Sequence, residues 1–515
     1  MKKNLLIPTI LTLAIIVMQI GLPGCKKSFL DTERQGAYDA DNYPYPGGSG
    51  PYDQFIFGAY NELRSFNVHS QAFICATSIR SDDADKGSTP ADGGAAAIDM
   101  DNFPVLPSNS FCNTLWLGYL GLVNKCNVTI KEVNTNKTIT STDQIKVQTI
   151  GEARFLRGYA YFMMVRLFGS VPIIDTVFEN PAAQNNLPQS TAAQVYAFIE
   201  NDLTAAAATL PLTWDPSKFA GRVTSGSANG LLAKVYLQQK KYSQAMAAAN
   251  LVMTSGQYNL NTSYDKIFRE EGENSSESVF EVQATASASI PQTNGVQYAQ
   301  IQGVRGSGIF DLGWGWNTPS TQLEGAYEAN DPRKNRTIMY TSTATTTYQT
   351  IYSENLPVGL PNPRYNNKVY TNPSLRSSYG NRFGYWMNLR ILRYADVVLM
   401  FAEAANEVGG TVNITVPRNA LNSVRLRSRA GIAGILPDIT TTDPAVLRLA
   451  IRQERRVELA MEHDRFFDIV RWGIAQSTLN AAGKTNFIDS RDVLLPIPQT
   501  QIDLSAGVLK QNPGY

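Results

Sequence analysis

Two tryptophans separated by one residue, Trp314 and Trp316, stand in the glycine-rich segment GSGIFDLGWGWNTPS. An aromatic ring can stack on the apolar face of a sugar or another flat ligand, and glycine neighbours leave such a ring open to solvent. Tyr298 and Gln300 come shortly before and could add polar contacts. The pattern predicts ligand binding at Trp314, Trp316 and Tyr298, with a pair of core anchors as the alternative interpretation.

A second group of polar residues lies in the segment SIRSDDADKGSTPADGGAAAIDMDNFPVLPSN, which is typical of a loop. Among its aspartates are Asp82, Asp83, Asp85, Asp99 and Asp101. Carboxylates can bind a hard cation through oxygen, but the segment has neither the spacing of an EF-hand loop nor a closing glutamate. We therefore expect solvated loop carboxylates and no metal site. Hydrogen bonding to a ligand is the next interpretation, with Asp82 and Asp83 as the candidate residues.

The densest charged cluster lies near the C-terminus, in a helical pattern. Its members are Arg448, Arg452, Glu454, Arg455, Arg456, Glu458, Glu462 and Arg465. Arg455–Glu458 and Glu462–Arg465 have i,i+3 spacing and could pair along a helix surface. The near-equal number of carboxylates favours a structural ion network over an anion clamp.

Catalytic patterns are missing from the sequence. The chain has only two histidines, His69 and His463, and it has no G-x-S-x-G, Walker A or strand-linked G-x-G-x-x-G motif. We predict no catalytic residue, no cofactor and no metal, although paired carboxylates for glycoside hydrolysis meet only in space. The balance of 45 basic and 44 acidic residues gives no field to attract nucleic acid.

The N-terminus has the pattern of a bacterial lipoprotein leader. Lys2 and Lys3 precede an apolar run that ends in LPGC, with Cys25 as its cysteine. We predict a signal peptide over 1–24, lipidation of Cys25 and a lipidated tether over 25–50. A transmembrane helix is the alternative, which the short run and its prolines disfavour.

Three further cysteines remain after Cys25. Cys75, Cys112 and Cys126 could form one disulfide outside the cytoplasm or stay as buried free thiols. The sequence leaves both alternatives open.

The apolar spacing places these residues on a mainly helical scaffold. The run 152–172 is apolar around most of its girth, which predicts a central, enclosed helix that stops at Gly169 and Pro172. Helical hairpins at 226–260 and 394–430 resemble tetratricopeptide units. A single helix is expected from about Asp443 to Trp472.

The coarse organisation follows from where helical periodicity holds. One domain over 51–515 is predicted, with its parts as follows: a helical scaffold at about 51–260 and 386–480, an irregular insertion of loops and short strands at about 261–385, and a C-terminal tail over 481–515. Loops on a rigid scaffold often carry binding residues, so the insertion is where we expect the ligand.

Six separated blocks, with the lipobox and FLD at 29–31, resemble the SusD/RagB family of outer-membrane nutrient-uptake lipoproteins of Bacteroidetes. The blocks are FLRGYAYFMMVRLFGSVPI at 155–173, GRVTSGSANGLLAKVYL at 221–237, LRILRYADVVLMFAEAANE at 389–407, LNSVRLRSRAG at 421–431, IRQERRVELAMEHDRFFDIVRWG at 451–473 and LLPIPQTQIDLSAGVLKQNPGY at 494–515. They occur in the family's order and span nearly the whole chain.

The resemblance implies tetratricopeptide-like helix pairs with a ligand-bearing irregular region, the SusD-like fold. It implies a non-enzymatic protein, lipid-anchored to the outer membrane and facing the exterior, that binds oligosaccharide and delivers it to a SusC-like TonB-dependent transporter. A peptide-binding member of the same family is one alternative. A surface glycan-active enzyme or a purely structural adaptor are alternatives of other classes.

Overall fold

The computed structural model describes residues 50–215, 220–290, 292, 294–410 and 412–515. The predicted signal peptide, Cys25 and all but the last residue of the predicted tether lie outside the described residues. Helices dominate both ends of the described part, and short strands with small helices lie between them, which confirms the predicted fold class.

The first half of the described part is mostly long helices. They are α1 Asp53–Glu62, α2 Gln71–Ile74, α3 Gly94–Asn102, α4 Ser110–Thr135, α5 Asp143–Phe168, α6 Ala192–Thr209, α7 Ser225–Gln238 and α8 Tyr242–Met253. A π-helical turn at Cys75–Ile79 follows α2, a short strand β1 spans Ala84–Gly87, and a 3₁₀ turn spans Pro181–Asn186.

The irregular middle alternates short elements. Its helices are α9 Tyr264–Ile267, α10 Tyr298–Gln302, α11 Thr321–Ala326, α12 Pro332–Thr337 and α13 Pro373–Arg376. Its strands are β2 Ser278–Val282, β3 Trp316–Pro319, β4 Ile338–Tyr340, β5 Arg364–Asn366 and β6 Leu389–Arg393, and 3₁₀ turns span Glu270–Gly272, Gly308–Phe310 and Asn367–Val369.

The C-terminal part returns to helices. They are α14 Tyr394–Val408, α15 Thr415–Ser428, α16 Pro444–Glu458, α17 Arg465–Arg471, α18 Ala475–Ala481, α19 Asp489–Asp492 and α20 Gln499–Leu504. Over the described ranges, no helix is both long and apolar enough to cross a bilayer.

Helix α5 is the central helix that its apolar pattern predicted. Of its 26 residues, 17 are buried, and it packs against α4 and α6. The Thr142 side chain caps its first turn, and Gly169, with φ 72°, ends it. One buried charge on it, Arg157, donates two hydrogen bonds to Asp202 of α6 at 2.8 and 2.9 Å. The enclosed helix is confirmed, although it begins nine residues before the predicted start.

The predicted helical hairpins are also present. Helix α7 packs against α8, α14 packs against α15, and α14 also packs against α8. The two hairpins therefore join into one layer of helix pairs, and small side chains such as Ala245 and Ala249 on α8 are buried where the helices meet.

Two local expectations are wrong. The polar segment predicted as a loop contains strand β1 and helix α3, because β1 pairs with β3, more than 200 residues away in the sequence. The single helix expected from Asp443 to Trp472 is interrupted between α16 and α17, where Met461 and His463 have φ 65° and 73°. Left-handed backbone at two such residues cannot continue a right-handed helix.

The three cysteines of the described part are free and buried. Burial raises the pKa of each thiol above its ordinary value. The structure therefore agrees with buried thiols rather than a disulfide.

Candidate functional site

Strand pairing brings the two predicted groups of site residues together. Strands β1 and β3 run antiparallel, with Gly87 opposite Trp316 and Ala84 opposite Pro319. The aspartate segment and the tryptophan segment, far apart in the sequence, are thus neighbours in the irregular region.

Trp316 is a core side chain in this structure. It is 2% exposed, and a methyl group added at Gly93 would overlap its ring. The Lys86 ammonium lies 5.1 Å from the ring centroid, and the same ammonium donates to the Thr89 carbonyl at 2.8 Å. The Trp316 ring therefore packs against both ends of the 86–93 segment.

Trp314 is only partly buried, so its ring is shared between the core and the surface. Its backbone N–H donates to the Gln300 carbonyl at 2.9 Å. The Gln300 side-chain oxygen accepts from Gln297 at 2.7 Å and from the Tyr385 hydroxyl at 2.6 Å. Trp314 is thus held beside a network of amide and hydroxyl groups.

Tyr298, the first residue of helix α10, is buried and only 9% exposed. The Thr77 hydroxyl donates its proton to the Phe73 carbonyl, so it accepts a hydrogen bond from Nδ1–H of His463. The Nε2 atom of His463 is therefore unprotonated, and the Tyr298 hydroxyl donates to it at 2.6 Å. Burial raises the pKa of Tyr298 above its ordinary value. Its polar group is therefore used within the protein.

Asp82 and Asp83 are buried, so the expectation that they are solvated is wrong. Asp82 accepts from Arg465 at 2.8 and 2.9 Å and from Arg456 at 2.8 Å, and Asp83 accepts from Arg456 at 2.8 Å. Burial would raise the pKa of Asp82, but the two guanidinium groups hold it below its ordinary value. The pKa of Asp83 is raised, by burial first and then by its neighbour's charge.

This carboxylate–arginine cluster fastens the start of the β1 segment to the end of α16 and the start of α17. Arg456 and Arg465 belong to the charged group that the sequence analysis assigned to an ion network, and that assignment is confirmed. The i,i+3 pairs proposed there are not the ones formed: Arg455 donates to Asp396 at 2.8 Å, and Glu462 accepts from Lys368 and Arg393 at 2.6 Å.

The sequence analysis missed a pair of charged residues, Arg305 and Asp92, near the residue between the two tryptophans. Arg305 forms an ion pair with Asp92 and donates to Ser88 at 2.8 Å. Hydrogen bonds, first from Ser88, lower the pKa of Asp92 despite partial burial. Arg305 packs against Gly315, between the two tryptophans. The polar composition of this segment and its Gly93-Gly94 pair were the sequence signals for an exposed loop here.

We call the set Trp314, Asp92, Arg305 and Gln297 the Trp314 surface, because each of these residues is partly exposed. It offers an aromatic ring, an amide and an ion pair, and it is tied to the 314–315 segment through Gln300 and Gly315. Such a surface can bind a hydroxyl-rich ligand by stacking and hydrogen bonds. Within the described ranges, no group of three or more His, Cys, Asp or Glu side chains is placed to hold a metal ion.

Two family models match the chain. One, described as the SusD family, matches residues 253–515. The other, described as starch-binding associating with outer membrane, matches residues 76–237. Together they cover both the helical scaffold and the irregular region.

Curated and solved relatives agree with these models. SusD-like protein P2 of Formosa agariphila is 25% identical over 480 residues, covering 89% of this chain and 91% of that protein. A laminarin binding SusD-like protein of known structure is 26% identical, with a TM-score of 0.75 over 90% of this chain and 99% of that one. Surface glycan-binding protein A from Bacteroides thetaiotaomicron, solved in complex with laminarihexaose, is 25% identical, with a TM-score of 0.74 over 90% of this chain and 98% of that one.

Proposed function

The chain belongs to the SusD/RagB family, and from this premise we propose that it is a glycan-binding lipoprotein of the outer membrane. In this proposal it captures oligosaccharide outside the cell and delivers it to a SusC-like TonB-dependent transporter. The observation that carries the proposal is the similarity over nine-tenths of the chain to a laminarin binding SusD-like protein.

The Trp314 surface is the proposed binding site. The exposed part of the Trp314 ring would stack on the C–H face of a sugar, while Arg305, Asp92 and Gln297 would pair with its hydroxyl groups. Trp316, also predicted from the sequence as a binding residue, would not touch the sugar. Its ring would keep the 86–93 segment in position.

Tyr298, Asp82 and Asp83 have the same supporting role in this proposal. Their polar atoms are bonded within the protein, so they would set the position of the site rather than touch the sugar. Binding energy would then serve capture and delivery, with no bond of the glycan broken.

Calorimetry tests the glycan part of the proposal. The protein without residues 1–25 is titrated with neutral oligosaccharides, laminarihexaose among them, and with peptides. We expect Trp314→Ala to weaken oligosaccharide binding by about 1–3 kcal/mol, the range for an aromatic anchor. Tyr348→Ala, which removes another partly exposed aromatic ring of the irregular region, should leave the affinity unchanged. Peptide binding with silence across the oligosaccharides would reject the proposal.

The membrane part of the proposal has its own experiments. Metabolic labelling with palmitate should mark Cys25, and a bare Cys25 would contradict the anchor. Co-purification from native membranes should recover an outer-membrane barrel with the protein, and its absence would contradict the transporter partner.

A further inference from the structure

A polar cleft lies away from the Trp314 surface. It has a volume of about 430 Å³ and lies where residues 212–214 and 220–224 meet the segment leading into β2. We call it the Trp214 cleft, and its neutral polar and aromatic lining includes Trp214, Gln257, Tyr258, Asn274, Ser275 and Ser276. No residue of the Trp314 surface lines it. A smaller cleft of about 290 Å³ continues from it, because Gly221 and Arg222 line both.

Two aromatic rings in the Trp214 cleft are held in place. The Trp214 indole N–H donates to the Val223 carbonyl at 2.8 Å, and the Arg222 guanidinium carbon lies 4.3 Å from the ring centroid. The Tyr258 hydroxyl and the Thr224 hydroxyl are 2.8 Å apart. Both side chains are only partly buried, so a ligand in the cleft would meet rings that are already fixed.

The charged side chains of the lining are neutralised within the fold. Arg222 donates to Glu152 at 2.8 Å and lies 3.3 Å from Asp53. Glu281 accepts from Asn388 at 3.0 Å and lies 3.5 Å from Arg390. A phosphate or carboxylate ligand would need cationic side chains that are not already paired within the protein. The cleft therefore favours an uncharged ligand.

The remaining polar lining is rich in hydroxyl and amide groups. Asn274 exchanges two side-chain hydrogen bonds of 2.9 Å with Gln283 of the smaller cleft, and Ser276 donates to Asn259 at 2.8 Å. These bonds fix the orientation of the Asn274 amide and the Ser276 hydroxyl in the wall. Oriented neutral donors and acceptors beside aromatic rings match the alternating hydroxyl and C–H surfaces of a sugar.

We propose that the Trp214 cleft is a second carbohydrate-binding site, which takes a neutral oligosaccharide or a second stretch of the polymer bound at the Trp314 surface. This inference rests on the proposed glycan-binding function, but not on the location of the first site. Two sites on one chain hold a long polymer more tightly than either alone, because the second contact forms at high effective concentration.

Titration of single and double variants tests the second site. The probe is laminarihexaose or, if the wild type does not bind it, the neutral oligosaccharide of the panel that binds most tightly. Wild type should take two molecules per chain, Trp214→Ala one, Trp314→Ala one, and the double variant none. On affinity gels Trp214→Ala should also weaken binding of the parent polymer by about tenfold.

Two further variants guard against a folding defect in Trp214→Ala. Ser275→Phe fills the cleft, and Gln257→Ala removes an exposed amide from its wall. Leu449→Ala, at a side chain 65% exposed on α16, is the matched surface control. Thermal melts establish that each variant folds.

The outcomes separate the two proposals. If wild type binds an oligosaccharide and neither Trp214→Ala nor Ser275→Phe changes stoichiometry or polymer affinity, the second site is overturned and the proposed function stands. If wild type binds no neutral glycan, both are overturned. Loss of one bound molecule in both cleft variants, with Leu449→Ala unchanged, supports the second site.

Discussion

Three arginines converge on the carboxylate of Glu458, which has no exposed surface. Arg333 and Arg393 donate to it at 3.1 Å, and Arg427 donates to it as well. Burial alone would raise the pKa of Glu458, but the charges of Arg427, Arg393 and Arg333 lower it well below its ordinary value. One carboxylate thus compensates positive charge that arrives from α12, β6 and α15.

Removing the charge of Glu458 should destabilise the folded protein. Glu458→Gln keeps the shape but leaves buried guanidinium groups undercompensated, and we expect a loss of about 3–5 kcal/mol in the free energy of unfolding at pH 7. Urea denaturation measures it. Glu271→Gln is the matched control, since Glu271 and Lys266 are 3.9 Å apart and both 57% exposed, and it should cost no more than about 1 kcal/mol. A Glu458→Gln loss below about 1 kcal/mol would contradict this account.

At this scale the sequence identified residue types but not their partners. It predicted a structural ion network that includes Arg456, whereas it named Asp82 and Asp83 only as candidates for hydrogen bonding to a ligand. It could not predict that these residues pair, because Asp83 and Arg456 are 373 positions apart in the sequence. Trp314 and Trp316 could not be distinguished either, since the burial of Trp316 depends on Gly93, from a segment predicted as a loop.

At the scale of elements, helix α4 approaches the 63–70 connection closely at one glycine. A methyl group at Gly118 would lie 2.4 Å from the Asn67 carbonyl oxygen, which is a backbone atom. A methyl group at Gly121, one turn later on the same helix, would lie 3.7 Å from the nearest atom, in the Glu62 side chain. The two glycines therefore differ in the space around them rather than in secondary structure.

The same substitution at the two glycines should have opposite effects. Gly118→Ala should destabilise the protein by about 1–3 kcal/mol, because the helix or the connection must move. Gly121→Ala should stabilise it by up to about 1 kcal/mol, the difference in helix propensity. Urea denaturation at neutral pH measures both. Equal effects of the two substitutions would show that backbone approach is not what selects glycine at Gly118.

Elements were predictable where local pattern decides them. Helix α5 and the two hairpins follow from apolar spacing and stop signals. Strand β1 does not, because four residues form a strand only when β3 is beside them. The interruption between α16 and α17 also depends on distant partners: Glu462 there bonds Lys368 and Arg393, about 90 and 70 residues earlier.

The whole molecule buries both of its histidines around one aromatic ring. The ring centroid of Phe73 lies 4.8 Å from His69 and 4.5 Å from His463. His69 Nε2 is 2.6 Å from the Tyr159 hydroxyl, and His463 Nε2 is 2.6 Å from the Tyr298 hydroxyl. Each imidazole is thus bonded within the fold as a neutral group, and protonation would place a charge in the core.

This burial should make the fold sensitive to acid. Burial lowers the pKa of His69 to about 4 and, with the charge of His69, that of His463 to about 3. In the unfolded chain a histidine has a pKa of about 6.5, so below that pH it is protonated in the unfolded chain but not in the folded one. The free energy of unfolding therefore falls as pH decreases towards the folded pKa values. Glu273, whose pKa burial raises to about 7, contributes the opposite sign, and so do Asp83, Glu152, Asp202 and Glu277, whose pKa values burial also raises.

A variant separates the histidine contribution from that of the carboxyl groups. His69→Gln keeps a side chain that can accept from Tyr159 but does not titrate. Between pH 7 and pH 5, wild type should lose about 2 kcal/mol more free energy of unfolding than His69→Gln, the value for a pKa that changes from about 6.5 to about 4. Urea denaturation of both proteins at the two pH values measures the difference, and it cancels Glu273 because that residue is present in both. Equal pH dependence in the two proteins would mean that His69 does not have a lowered pKa in the folded state, and the acid sensitivity would then have to come from His463 and the carboxyl groups.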